Sequence, residues 1–321
     1  MMSKKLNNPH DVFFKASFSR IDLVKNFFEN YLPDDIKALI EFEKLKMEDN
    51  TFIDQELKDF YSDILYQTEI KGKKAYLYFL FEHKSYDDKW TILQILNYML
   101  NIWLKTKDNS KSSSLPVIIP ILFYNGENSK NIKKSFGEYF RNKEQFTRFL
   151  PLFEVLFYDF SLKSNMKIIG DYKLQYVLKL MKMIKSKHVK LIYKEITDYI
   201  INLAEINEEI VFQGIKYIFE AQDEFDLESI IELIEKNGYK EGEIIMTMAD
   251  KLRQEGRQEG RQEGIREELI DTVALLLNKK LNLRDKKIDG KIKSLDIDKL
   301  RKIRDNIFEI CSVDDLDKYV N

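Results

Sequence analysis

From Pro9 onward, HDVFFKASFSRIDLVKNFFENYLP sets apolar residues at 13, 14, 18, 21, 24, 27, 28 and 31, the spacing of one amphipathic helix ending at Pro33. A second short helix is expected over Pro33 to Ile40, then irregular or short-strand sequence to Asp54. Two apolar runs follow, SDILYQTEI and KAYLYFLFEHKS, joined by the turn-like KGKK, which together predict a β-hairpin. Tyr76 to Phe81 is continuously apolar, as a central strand buried on both faces would be. WTILQILNYMLNIWLKT is apolar around most of its circumference and predicts a largely buried helix. The polar DNSKSSS separates it from LPVIIPILFYNG, a β-branched run bounded by Pro116 and Gly126, and FEVLFYDFS reads as one more strand. The order helix, hairpin, helix, strand, helix, strand points to a mixed α/β sheet flanked by helices.

Strand signals stop near residue 165. Beyond it, amphipathic helical segments are expected near 173 to 187, 189 to 205, 208 to 221 and 226 to 236. The chain therefore divides into a sheet-bearing part over 1–165, a helical accessory region over 166–240, a repeat-bearing helix over 241–280 and a small helical segment over 281–321.

The repeat is RQEGRQEGRQEG, Arg253 to Gly264. On a helix a four-residue period makes four slowly drifting stripes, of Arg, Gln, Glu and Gly. Within one helix this is a poor arrangement, because Arg253, Arg257 and Arg261 repel at i,i+4 and each glycine costs about 1 kcal/mol relative to alanine. Two parallel helices meeting at the glycines would set the Arg stripe of one against the Glu stripe of the other, which predicts a homodimer through residues 245–277. The alternative is an exposed helix or tether that tolerates the repeat.

Length and composition narrow the function. A chain of 321 residues with 44% hydrophobic content can bury a sizeable core. It has no run of eighteen apolar residues, and MMSKKLNNPHD lacks the apolar stretch of a signal peptide, so a cytoplasmic protein without a membrane span is expected. Cys311 is the only cysteine, and histidines at 10, 83 and 188 offer no zinc spacing, so any metal site has to be built from oxygen. The net charge of −2 gives no global attraction to nucleic acid, but charge is locally uneven. Residues 71–111 hold eight lysines (71, 73, 74, 84, 89, 105, 107, 111) against four acids (82, 87, 88, 108). Residues 128–148 hold six basic groups (130, 133, 134, 141, 143, 148) against two acids (138, 144). Both patches suit a phosphate backbone, and both also suit ordinary solvated surface.

The hairpin carries the candidate chemistry. If Ile70 pairs with Ala75, Asp63 lies directly opposite Glu82 with Cβ atoms about 5 Å apart. Lys84 shares the face of Glu82, and His83 points to the other. Two carboxylates and a lysine on one face suit phosphodiester hydrolysis, in which hard oxygen ligands hold Mg²⁺ or Mn²⁺ and the lysine orients or activates a water. The same residues also fit a strand-opening aspartate and an ordinary Glu–Lys ion pair at a strand end.

HDVFFKASFS, then SDILYQTEIKGKKAYLYFLFEHKSYDDKWTILQILNYMLNIW, then PVIIPILFYNG, and the late RQEG tract, resemble the bacterial Rpn family of recombination-promoting nucleases, also described as PD-(D/E)XK family transposases. The likeness covers about residues 7–165, and the repeat is a looser, compositional similarity. It implies a restriction-endonuclease-like PD-(D/E)XK core with a helical C-terminal extension and divalent-metal-dependent cleavage of DNA, linked to recombination or transposition. On the motif, Asp63 matches the first acid, Glu82 the second and Lys84 the lysine, with the backbone carbonyl of His83 as a further metal ligand. Ser62 stands where the superfamily signature has proline, and lysine at 84 stands where the family often has glutamine. Gln94 and Tyr98, one turn apart on the next helix, match positions where the superfamily often turns polar residues toward the metal. A non-catalytic nuclease-like module that mediates assembly, and an RNA-directed nuclease, are the rival readings.

Other residues have two readings each. Asp11, with His10 and Lys15, either lines the cleft or caps the first helix. Asp159 is either an additional acid or part of a strand-terminal turn. Tyr124, Asn125 and Gly126 close a core strand at an end that can also meet substrate. The aromatics, 13% of the chain, stand mostly at core spacing and are not read as base-stacking platforms.

Overall fold

In the computed structural model of the chain, the described residues are 8–48, 62–82, 90–109, 114–126, 129, 132–186, 189–204, 207–222, 232, 242–281, 292–312, 314–316 and 318. The predicted N-terminal helix is two helices, α1 (Pro9–Phe18) and α2 (Ile21–Tyr31). Arg20 is extended (φ −81°, ψ 116°) and breaks the helix, while Ser19 closes α1 by donating to the Lys15 carbonyl. The apolar spacing runs through the break because both halves bury the same side: Phe13, Phe14 and Phe18 in α1, and Leu23, Val24, Phe27 and Phe28 in α2. The α1 N-cap is Asn8, whose side chain accepts from His10 N–H; Asp11 sits in the first turn, so the capping role expected for it falls to Asn8. The short helix after Pro33 is α3 (Asp34–Lys37).

A five-stranded sheet runs in the order β1 (Lys46–Met47), β2 (Ser62–Ile70), β3 (Lys73–Glu82), β4 (Val117–Tyr124), β5 (Leu156–Asp159). β1, β2 and β3 pair antiparallel; β3, β4 and β5 pair parallel. The parallel step from β3 to β4 requires a crossover, which α4 (Thr91–Asn109) supplies. Between β4 and β5 the expected helix is reduced to short turns, a 3-10 turn at Phe136–Tyr139 and the four-residue α5 (Lys143–Phe146).

Side-chain alternation splits the sheet into two faces. On one, Phe123 meets Phe14, Phe18, Phe27 and Phe160, with ring centroids 4.6–6.1 Å apart. On the other, Leu65, Tyr76, Tyr78, Leu122 and Tyr124 pack against Ile92, Ile95, Tyr98 and Ile102 of α4.

The helices after the sheet are α6 (Tyr172–Met183), capped by Asp171, α7 (Val189–Ala204), and α8 (Glu208–Ala221), capped by Asn207. The segment expected near 226–236 falls almost wholly outside the described residues. α1 packs on α8: Phe13 stacks on Tyr217 at 4.2 Å, and His10 Nδ1 shares a 2.6 Å hydrogen bond with Tyr217 Oη. Residues 1–245 form one compact unit and 246–321 a second. In the second, Leu269, Val273 and Leu277 of the repeat helix (Gly242–Leu281) share a core with Leu300 and Ile303 of the helix Ile297–Asp305. Gly256, Gly260 and Gly264 face open space.

Candidate functional site

The hairpin register differs from the expected one. The turn is two residues, Lys71 (φ 51°) and Gly72 (φ 71°), both left-handed, so Ile70 pairs with Lys73 rather than Ala75. Such mirror-image turns match the twist of antiparallel strands, and Gly72 meets their demand without strain. Asp63 therefore lies opposite Leu80, and Glu82 occupies the diagonal position, two residues further on. The slip is even, so parity survives and Asp63 and Glu82 stay on one face of the sheet. Diagonal positions in an antiparallel pair lie about 7–8 Å apart, within reach of long side chains. That face is the one against α4, because Leu65 belongs to the parity of Asp63, and Tyr76 and Tyr78 to that of Glu82. His83 and Lys84 lie outside the described residues.

Glu82 begins a row across the parallel strands, since it pairs with Tyr124 and Tyr124 pairs with Asp159. Tyr124 is buried, and a Cβ on Gly126 would collide with its ring, so glycine is required there for space. Asn125, fully buried, donates from Nδ2 to the Met181 carbonyl at 2.8 Å and ties the end of β4 to α6. Asp159 accepts from Ser129 Oγ at 2.5 Å and from Ser161 N–H at 2.9 Å, which makes it the acceptor of a strand-terminal turn. Lys182 on α6 feels the Asp159 carboxylate, but burial outweighs it and lowers the ammonium pKa. On α4, Gln94 is half-buried, and Tyr98 is buried against Tyr78 at 5.3 Å between ring centroids. Tyr98 is thus a core residue.

Among the described residues no group of three or more His, Cys, Asp or Glu side chains is placed to hold a metal. The donor set of the hairpin fits a hard divalent cation on its chemistry: two carboxylate residues, from adjacent strands, on one sheet face at one strand end. No helix among the described residues is long and apolar enough to cross a membrane.

Sequence reasoning missed a surface. Trp90, immediately before α4, is 58% exposed and stacks on Tyr139 at 5.3 Å and 15°, and Lys133 Nζ lies 3.7 Å from the Tyr139 ring centroid. Phe146 and Phe149 are 51% and 68% exposed, and the Arg148 guanidinium lies 4.7 Å from the Phe149 ring centroid. The signal was YFRNKEQFTRF, in which aromatics and cations alternate without the period of a buried face.

The profile of a family described as "Putative transposase, YhgA-like" matches residues 8–211. The chain is 25% identical over 261 residues to recombination-promoting nuclease RpnA of Escherichia coli K12, covering 80% of this chain and 87% of that protein. It is 32% identical over 123 residues to recombination-promoting nuclease RpnD of Escherichia coli O157:H7, covering 38% of this chain and 47% of that one. It is also 25% identical over 282 residues to the inactive recombination-promoting nuclease-like protein RpnE of Escherichia coli K12, covering 86% and 92%. No solved structure matches the chain.

Proposed function

We propose that this chain, which belongs to the YhgA-like transposase family, is a divalent-metal-dependent DNA endonuclease acting in recombination, built on a PD-(D/E)XK core. The observation that carries the reading is the placement of Asp63 and Glu82 on the α4-side face at the end of β2 and β3. Relatives named as recombination-promoting nucleases support it. Asp63 and Glu82 would hold Mg²⁺ or Mn²⁺ through carboxylate oxygens, with the His83 backbone carbonyl as a further ligand. The cation, when bound, polarises a phosphate oxygen and lowers the pKa of a water. Lys84 orients that water through its ammonium, and Gln94 on α4 positions the substrate phosphate. In this reading residues 1–165 are the nuclease core, 166–240 the accessory region, 241–280 the repeat helix and 281–321 a small helical segment. The repeat helix pairs in parallel with a second copy, with the open space at Gly256, Gly260 and Gly264 as the approach surface. A two-fold dimer would place two sites for two cuts.

The experiment is cleavage of supercoiled plasmid by the full chain with Mg²⁺ or Mn²⁺, against EDTA, Asp63→Ala and Glu82→Ala. Each substitution is expected to lower the rate roughly a thousandfold, the loss of several kcal/mol of transition-state stabilisation. Cleavage that survives both substitutions rejects the site. A second reading, a non-catalytic module, is favoured by the likeness to the relative named inactive, and it gains if no divalent metal supports cleavage.

A further inference from the structure

We infer that the aromatic and basic surface formed by Trp90, Tyr139 and the 140–149 segment binds single-stranded DNA by stacking its bases, and so presents unpaired strands to the cleavage site. The second half of this statement rests on the nuclease reading, and the binding itself does not. Three of the five exposed phenylalanines among the described residues, Phe140, Phe146 and Phe149, lie within ten positions of one another. Large exposed aromatics so close together mark an interaction surface, and their interleaving with cations selects its partner. Lys133, Arg141, Lys143 and Arg148 contribute positive charge. Of the three acids nearby, Glu138, Glu144 and Glu154, Glu138 is engaged, its Oε1 accepting from the backbone N–H groups of Lys134 and Ser135. Glu144 and Glu154 stand against four cations, so the surface still carries a positive excess that suits a polyanion. Aromatic faces plus a positive track are what sequence-tolerant single-strand binding uses, because every base has a π-face and duplex bases are already stacked.

The topology brings the Trp90–Tyr139 end of this surface toward the proposed site, while the 140–149 segment leads on to the start of β5. β3 and β4 are parallel, so the chain leaves β3 at Glu82 and α4 runs back from that same end, which brings Trp90 to the Glu82 end of the sheet. The segment that carries Lys133 and Tyr139 leaves β4 from that end after Tyr124. The Trp90–Tyr139 stack joins the two segments. A cleft of about 360 Å³ lies beside the 140–149 segment, lined by Ser135, Lys143, Glu144, Thr147, Leu152 and Glu154, within the size range of small-molecule sites.

The test uses the full chain carrying Asp63→Ala, with a fluorescein-labelled dT oligonucleotide and a blunt duplex of equal length, read by anisotropy at fixed salt. The dT strand is expected to bind more tightly than the duplex. Adding Phe146→Ala and Phe149→Ala is expected to weaken dT binding about tenfold or more while duplex binding changes less than about twofold. Both side chains are exposed, so the melting temperature should not move, and a matching melt confirms that folding is intact. In a Trp103→Phe chain, which leaves Trp90 as the only tryptophan, dT should quench the emission. Unchanged dT affinity in the double variant, absence of quenching, tighter binding of the duplex, or tighter binding of an RNA oligonucleotide of equal length would each overturn the proposal. If the unsubstituted chain cleaves plasmid with no divalent metal, the nuclease reading fails while the binding result stands; if Asp63→Ala still cleaves, the assignment of Asp63 fails and the binding result again stands.

Discussion

Phe123 and Tyr124 are neighbours on β4, yet they belong to opposite faces of the sheet with different chemistry. The Phe123 face is built of phenyl rings, with Phe14, Phe18, Phe27, Phe28 and Phe160 closing over it, all fully buried. Its two tyrosines from the strands, Tyr66 and Tyr158, donate their hydroxyls to the Phe18 and Tyr31 carbonyls. The Tyr124 face is built of tyrosines, with Tyr76, Tyr78 and Tyr98 alongside, all buried. It runs on to the positions of Asp63 and Glu82. The hydroxyls of the phenyl face are spent on backbone carbonyls of the helices it packs against. A tyrosine face packs as tightly and brings hydroxyls that can hydrogen-bond. One sheet thus keeps stability and candidate chemistry apart by residue parity alone.

The largest break in this contrast should come from Phe123→Ala. Emptying that ring's site is expected to cost about 3–5 kcal/mol and to lower the melting temperature by roughly 10 °C. Cleavage per folded molecule should be kept below the melt, and loss of cleavage by fully folded variant would show that the two faces are not separable.

Acid should weaken the phenyl side through α1. Burial first, and the charge of Lys185 second, pull the His10 imidazole from its usual 6.5 down to about 4. The unfolded chain therefore binds more protons than the folded one between these values, so stability is fully present above pH 6.5 and is lost as pH falls toward 4. The loss is at most about 3 kcal/mol. Thermal melts from pH 7 to 4 should show it, and His10→Gln should flatten the profile in that window.

Gly126→Ala probes the tyrosine side. The added methyl meets the Tyr124 ring, which is in register with Glu82. A stability cost of about 1–3 kcal/mol is expected. A fall in cleavage of about tenfold should accompany it, as a small displacement near reacting groups does. A variant that loses stability but no activity would detach Tyr124 from the site. The smallest effect belongs to Lys71→Asn, which suits the left-handed first turn position better and should add about 0.5 kcal/mol without changing cleavage.

Much of this was legible in the sequence. The hairpin, α4, β4, β5 and the helices from α6 to α8 follow from apolar period and from Pro and Gly punctuation. Three expectations differ from the structure: the helix expected between β4 and β5 is reduced to short turns, and the other two differences have physical causes. The α1–α2 break leaves no trace in periodicity, because both helices bury the same side against one sheet. The hairpin register was misplaced because a lysine in left-handed conformation hides a two-residue turn inside KGKK. The acids kept their shared face because parity, unlike register, is indifferent to an even slip. The stacked Trp90 and Tyr139 were illegible for another reason: they stand about fifty residues apart, and only the tertiary fold brings them together.

The same parity sets which length changes the hairpin can survive. A single residue inserted in β2 between Asp63 and Leu65 would carry Asp63 into the phenyl core unless a bulge absorbed it. Two inserted residues would return it to the tyrosine face. Length variation at the acid end of this hairpin should therefore be tolerated in pairs, a counting rule that acts on descendants of the gene before any selection on the chemistry of the site.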